Sequence, residues 1–135
     1  MKFVGFKYKK YSFPLINPLK ISNQSITHKD LIIIQVEDNM GNFHYGEVTP
    51  LPNFSKENIE DCEQRLKELL IEFQQIEIDA LKKKIVDLLD YPSLLFAHEQ
   101  LVLSSEINKY DLTEREVKTN GLIGLDSKEI VIQKV

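Results

Sequence analysis

Few side chains in this sequence stand where they could carry acid–base or ligand chemistry: Glu47, Glu99, His44, His98 and Cys62. Glu47 could serve as a general acid or a metal ligand, but a lone carboxylate beside a loop more often has a structural role. His44 and Glu47 are three residues apart in an extended stretch, so they point to opposite faces and cannot share a metal. His98 has no second histidine at a ligand spacing and reads as a satisfied core or interface histidine. Glu99 follows it in an apolar run, where a carboxylate needs backbone or loop donors. Cys62 falls on an apolar helix face and reads as core. Gly121-Leu122-Ile123-Gly124 is too short and too lysine-poor for a phosphate loop, and the chain holds neither G-x-S-x-G nor Cys-x-x-Cys. The residues therefore assemble no catalytic constellation and no metal-ligand set within this chain.

The elements that would position such groups change type at Gly46-Glu47-Val48-Thr49-Pro50-Leu51-Pro52-Asn53-Phe54-Ser55. Before this stretch the pattern is that of strands, and after it that of helices. Pro50 and Pro52 forbid a regular ladder or helix between them. Ser55 stands where a helix N-cap is expected. A stiff, partly apolar loop at such a junction suits the wall of a site, although an ordinary connection packed on its own domain is the commoner case.

Val4, Phe6 and Tyr8 alternate with Gly5, Lys7 and Lys9, which predicts a half-buried strand. The parity then shifts to Tyr11 and Phe13, which predicts a bulge at Lys9-Lys10. Pro14 and Pro18 are expected to close the strand, and residues 17–29 to form a polar loop. Leu31–Val36 is a second strand, Asp38–Asn42 a turn with Gly41 at positive φ, and Phe43–Val48 a third strand pairing back. Helix-like spacing follows over about 56–73 (Ile59, Cys62, Leu66, Leu69, Phe73), with Glu57, Glu60 and Asp61 on a solvated first turn. A second helix is expected over 79–89, with Leu81, Ile85 and Leu88 inward. A third begins at Pro92 and is apolar all round, like the buried centre of a bundle. The pattern fades over 104–118. A domain boundary is expected near Asp111, followed by a short strand at Asn120–Gly124 and the start of a helix over 126–135. A lone strand and part of a helix cannot bury themselves, so this tail reads as the opening of an interrupted second domain. The predicted fold is α+β: a three-stranded antiparallel meander followed by a helical bundle, over residues 1–110, with 111–135 a linker and the start of the next unit.

The chain has 135 residues, of which 42% are apolar, enough for one real core. A net charge of −4 makes nucleic acid and anionic membrane poor partners. No apolar run approaches the length of a membrane span, and lysines interrupt the N-terminus where a signal peptide would need an apolar stretch. A single cysteine excludes an internal disulfide and points to a reducing compartment, the cytoplasm.

The Gly46–Ser55 stretch resembles the G-E-x-x-P-L-P-x-F-S segment of the o-succinylbenzoate synthases, in the muconate-lactonizing branch of the enolase superfamily. Pro92-Ser93-Leu94-Leu95-Phe96-Ala97-His98-Glu99 is similar to that family's P-S-x-x-F-A-x-E helix. Val117-Lys118-Thr119-Asn120-Gly121-Leu122-Ile123 is similar to the segment opening its catalytic barrel. The chain departs from the pattern at Asn53, where glycine is common, at Val48, where small residues are common, and at His98, where an apolar residue is usual. The resemblance implies an N-terminal capping domain with the barrel truncated. It implies a lyase of menaquinone biosynthesis that dehydrates a cyclohexadiene carboxylate, with Mg²⁺ and a lysine base supplied by the barrel and absent from this chain. Two cap loops would face the small-molecule carboxylate: one holding Ser22, Asn23 and Gln24, the other Thr49, Pro50, Leu51, Pro52 and Phe54. The chain alone is expected to be inactive, and to self-associate through its barrel-facing surface. A cap from an N-acylamino acid racemase or dipeptide epimerase, or a stand-alone binding module, are the alternatives.

Overall fold

The structure, a computed structural model, describes residues 1–21, 24–72 and 76–106. Three strands, β1 (Phe3–Ile21), β2 (Gln24–Asp38) and β3 (Phe43–Val48), form an antiparallel sheet in the order β1-β2-β3. Three helices follow: α1 (Ile59–Glu72), α2 (Ile78–Lys83), which tightens into a 3₁₀ turn over Lys84–Leu88, and α3 (Pro92–Glu106). The predicted meander and helices are therefore present. The expected boundary at Asp111, the strand at 120–124 and the helix at 126–135 lie outside the described residues.

The first hairpin differs from expectation. Residues 17–29 do not form a polar loop; β1 and β2 continue through them as a long arm, paired out to Ile21 opposite Gln24. Pro14 and Pro18 do not close β1. It is an edge strand, and the prolines sit at and within a break in register between Pro14 and Leu19, where proline's missing donor costs no ladder bond. Pairing runs unbroken from Gly5 opposite Glu37 to Pro14 opposite His28, so there is no bulge at Lys9-Lys10; the extra residue is Val4. As a result Tyr11 and Phe13 keep the parity of Lys7 and Lys9.

The core lies between the sheet and the helices. Phe3, Ile32, Ile34, Val36 and Val48 meet Cys62, Leu66 and Leu69 of α1, Leu81 and Leu88, and Leu94, Ala97 and Leu101 of α3. Each buried aliphatic or phenyl group is worth about 1.5–3 kcal/mol of transfer free energy. The apolar surroundings of α3 are only partial, since Phe96 and Leu103 remain 57% and 52% exposed.

Strand β3 and helix α3 approach unusually closely. A Cβ on Gly46 would lie 2.6 Å from the Ala97 carbonyl oxygen, so only glycine fits there. One residue along, the outward N–H of Glu47 donates to Gln100 Oε1 at 2.6 Å, which closes the open edge of β3. Ser55 does not cap α1. Asn58 does, its Oδ1 accepting from the Asp61 N–H at 2.8 Å. Glu57 is buried rather than solvated, and its Oε1 takes the Ser93 N–H at 2.7 Å in the first turn of α3. Burial pushes the Glu57 carboxyl upward, and the Ser93 bonds outweigh it, leaving the carboxyl below its ordinary range.

Candidate functional site

The proline-rich loop folds on itself before it faces anything else. The Leu51 N–H donates to Ser55 Oγ at 2.8 Å, and the Leu51 carbonyl accepts from the Ser55 N–H at 2.9 Å. Ser55 thus serves as a clasp for the loop. Asn53 sits at φ 60°, the left-handed region that glycine enters freely and asparagine tolerates best among the other residues. The departure from glycine at this position therefore keeps the turn intact. Pro50 is buried and Leu51 half-buried, which leaves Pro52 and Phe54 to solvent.

Opposite this loop stands the arm of β1 and β2. Leu15, Leu19 and Ile26 on the arm face Thr49, Pro50, Leu51 and Pro52 across a cleft of about 140 Å³. His28, Lys29 and Asp30 supply its polar rim. The Lys29 Nζ donates to Glu47 Oε1 at 2.8 Å, and Thr49 Oγ1 donates to the same oxygen. The Lys29 and Thr49 bonds together hold the Glu47 carboxyl below its usual range against burial. Glu47 is thus an ionised anchor between strand and loop, as the structural reading expected, and its proton is not poised for general acid work.

The cleft unites four of the eight residues singled out by sequence, Thr49, Pro50, Leu51 and Pro52. Phe54, 79% exposed, lies outside it. Ser22 and Asn23 lie outside the described residues. Gln24 pairs with Ile21 at the end of the arm. Closing the strand at Pro14 missed Leu15, and reading 17–29 as a polar loop missed Leu19 and Ile26. Their signal was present in Leu19-Lys20-Ile21, an apolar–polar–apolar alternation typical of a strand.

The remaining candidates serve the fold. Glu99 is exposed, not a buried carboxylate satisfying donors. His98 is buried and donates from Nε2 to the Leu81 carbonyl at 2.7 Å, tying α3 to α2, while its buried Nδ1 finds no partner among the described residues. His44 accepts from Ser104 Oγ at Nδ1 and donates from Nε2 to Asp38 Oδ2, at 3.0 and 3.1 Å. Asp38 also accepts from the N–H groups of Met40 and Asn42 and from Asn42 Nδ2. Burial alone would raise its pKa, but these bonds hold the carboxyl far below the usual range. The Ser–His–Asp order is that of a hydrolase relay. Here every bond is used to lock the β2–β3 turn to the end of α3. Cys62 is fully buried, and burial pushes its thiol up to about 12, so it is inert core. Among the described residues no group of three or more His, Cys, Asp or Glu could hold a metal ion. No helix among them is long and apolar enough to cross a membrane.

A family profile described as MenC, N-terminal domain, matches residues 5–100. The o-succinylbenzoate synthase of Pasteurella multocida is 30% identical over 93 residues, covering 67% of this chain and 26% of that protein. The o-succinylbenzoate synthase of Vibrio cholerae is 32% identical over 74 residues, covering 53% of this chain and 22% of that protein. The chain thus spans about a quarter of the length of the curated relatives it matches. In fold it is similar to a dipeptide epimerase from Enterococcus faecalis complexed with Mg and a dipeptide (TM-score 0.71, 14% identity, 99% of this chain and 41% of that one). It is also similar to one from Methylococcus capsulatus, likewise complexed with Mg and a dipeptide (TM-score 0.59, 23% identity, 69% and 27%). The three-stranded antiparallel sheet followed by helices is the fold it shares with these structures, and this chain belongs to the MenC N-terminal domain family.

Proposed function

We propose that this chain is the substrate-capping part of an o-succinylbenzoate synthase, a lyase of menaquinone biosynthesis that removes water from a cyclohexadiene carboxylate. The observation carrying this reading is the apolar cleft between the arm and the Thr49–Pro52 loop, in a chain of the MenC N-terminal domain family. An apolar cap over a reacting centre excludes water and strengthens the electrostatics beneath it. The described residues of this chain do not fit a Mg²⁺ site. In the proposed whole enzyme the metal and the base belong to a barrel that begins after residue 110, and this chain's part is to bind and orient substrate. Leu15, Leu19, Ile26 and Leu51 would contact the ring. The Lys29–Glu47–Thr49 network would hold the loop at the distance the ring requires.

Two measurements test this. The purified 135-residue chain, given Mg²⁺ and the cyclohexadiene carboxylate, should show no turnover; turnover free of contaminating enzyme would overturn the reading. The source gene should continue past Val135 with a Lys-x-Lys strand and then acidic residues at successive strand ends. In that longer protein Leu51→Asp should raise KM at least tenfold while changing kcat less. A stop codon directly after Val135 would favour a stand-alone binding module instead. Turnover of N-acylamino acids or dipeptides in preference to the cyclohexadiene carboxylate would favour the racemase or epimerase reading. A cytoplasmic location and self-association through the cap's exposed apolar surface (Phe54, Phe96) belong to the same proposal.

A further inference from the structure

The outer face of the sheet carries a second concavity that shares no residue with the cleft. Tyr8 and Lys10 turn toward α1, where they meet Glu63 and Glu60. The alternate residues Lys7, Lys9 and Tyr11 therefore point away from the helices. With Tyr8 at its edge and with Ile33, Gln35 and Tyr45 they line an open hollow of about 400 Å³. Unbroken register places Lys7, Gln35 and Tyr45 in one row across the sheet, and Lys9, Ile33 and Glu47 in the next, where Lys29 holds the Glu47 carboxylate.

Core packing does not account for these residues. Tyr11 and Phe13 stack in parallel on the outer face, ring centroids 5.6 Å apart. The Lys9 ammonium lies 5.1 Å from the Tyr11 ring centroid. Lys10, Lys29, Lys56, Lys67, Lys82 and Lys84 are each held by a carboxylate. Lys7 and Lys9, like Lys2, Lys20 and Lys83, make no ion pair among the described residues, and they alone of these five line the hollow. Two like charges two residues apart on one face, about 7 Å along the strand, repel each other unless an anion lies between them. Gln35 Nε2 donates to the Tyr45 hydroxyl oxygen at 2.8 Å, so the hydroxyl proton remains available to an acceptor in the hollow.

We propose that this hollow binds a planar aromatic carboxylate, its carboxylate between the Lys7 and Lys9 ammonium groups and its ring on Ile33 between Tyr11 and Tyr45. The combination is specific in kind. The lysines and the Tyr45 hydroxyl offer donors to the anion, and Ile33 with the Tyr11 and Tyr45 rings offers a flat apolar bed. This assignment is independent of the capping role, because none of its residues lines the cleft of the proline-rich loop.

The test is a titration of the full chain with 1-naphthoate, followed by amide NMR. Its neutral isostere 1-naphthalenemethanol is the control for ring binding, and acetate the control for charge alone. The expected result is saturable shifts at residues 7–11, 33–35 and 45. Affinity should be at least tenfold weaker for the alcohol, for acetate and for the Lys7→Gln/Lys9→Gln double variant. Both lysines are exposed, so that variant should keep its far-ultraviolet circular dichroism and melting temperature. Tyr45→Phe should weaken binding a few-fold. Equal affinity for naphthoate and alcohol, shifts confined to the cleft at residues 15–30 and 49–52, or no saturable binding by the wild-type chain at about 10 mM, a range weaker than useful small-ligand binding, would each overturn the proposal.

Discussion

Replacing Gly46 by alanine tests whether the contact of β3 with α3 holds the domain together. The added Cβ would sit 2.6 Å from the Ala97 carbonyl oxygen, 3.2 Å from its carbon and 3.3 Å from its Cα. Ordinary contact begins at 3.4 Å, so the strand must retreat by about 0.8 Å from a helix backbone that has no rotamer to change. Retreat would stretch the Glu47 N–H bond to Gln100 Oε1 and the His44 bond to Ser104, which lie on either side. Overpacking of this kind costs about 1–3 kcal/mol, and loss of the edge bond adds about 1 kcal/mol. Gly46→Ala should therefore lower stability by about 2–4 kcal/mol in urea titration, with the melting temperature falling on the order of 10 °C. Two controls separate this cause from others. Ala97→Gly should not rescue the variant, because the obstructing atoms are backbone. Gln100→Ala should cost about 1 kcal/mol alone and less in the Gly46→Ala background, because the bond it removes is already lost. A Gly46→Ala chain within 0.5 kcal/mol of wild type would refute the close-approach argument, as would full rescue by Ala97→Gly (additivity error is about that size).

Asp38→Asn keeps the side chain's shape but turns a donor toward His44 Nε2–H and Asn42 Nδ2, so it should cost about 2–4 kcal/mol at neutral pH in denaturant titration. The Asp38 carboxyl has a depressed pKa when folded, so its contribution is complete above the unfolded value of about 3.9 and lost as pH falls below it. The stability difference between wild type and Asp38→Asn should accordingly begin to shrink below about pH 4 and go on shrinking as pH falls toward the depressed folded value; a constant difference from about pH 6 down to about pH 2 would be the contrary result. Asn53→Gly should be neutral within a few tenths of a kcal/mol, whereas Asn53→Val should cost about 1–2 kcal/mol, since φ 60° crowds a branched side chain. The Cys62 thiol, pushed up to about 12 by burial, should resist alkylation in the folded chain at pH 8 and react promptly in urea, as followed by mass spectrometry.

Local chemistry alone decided much of this fold. Period-two alternation placed the start of β1, an apolar run placed the inner half of β2, Gly41 placed the turn, and the spacing of Ile59, Cys62, Leu66 and Leu69 placed α1, because these signals act within a few residues. The proline-rich loop was legible for the same reason, since prolines restrict their own backbone and that of their neighbours. Other features depended on what lies across the structure. Pro14 and Pro18 look like strand ends until pairing shows that β1 is an edge, where their missing donors cost nothing. Glu57 looks solvated until the N-terminus of α3 arrives to take its carboxylate. Gly46 gives no sign in sequence that a helix carbonyl from residue 97 fills the space of its missing side chain. The cleft joins residues 15–26 to residues 49–52, and the outer hollow joins residues 7–11 to 33–35 and 45. The sequence specified the strands, the helices and the stiff loop. Only the tertiary structure decided which side chains meet across them, because register, edge position and close backbone approach are properties of pairs of distant segments.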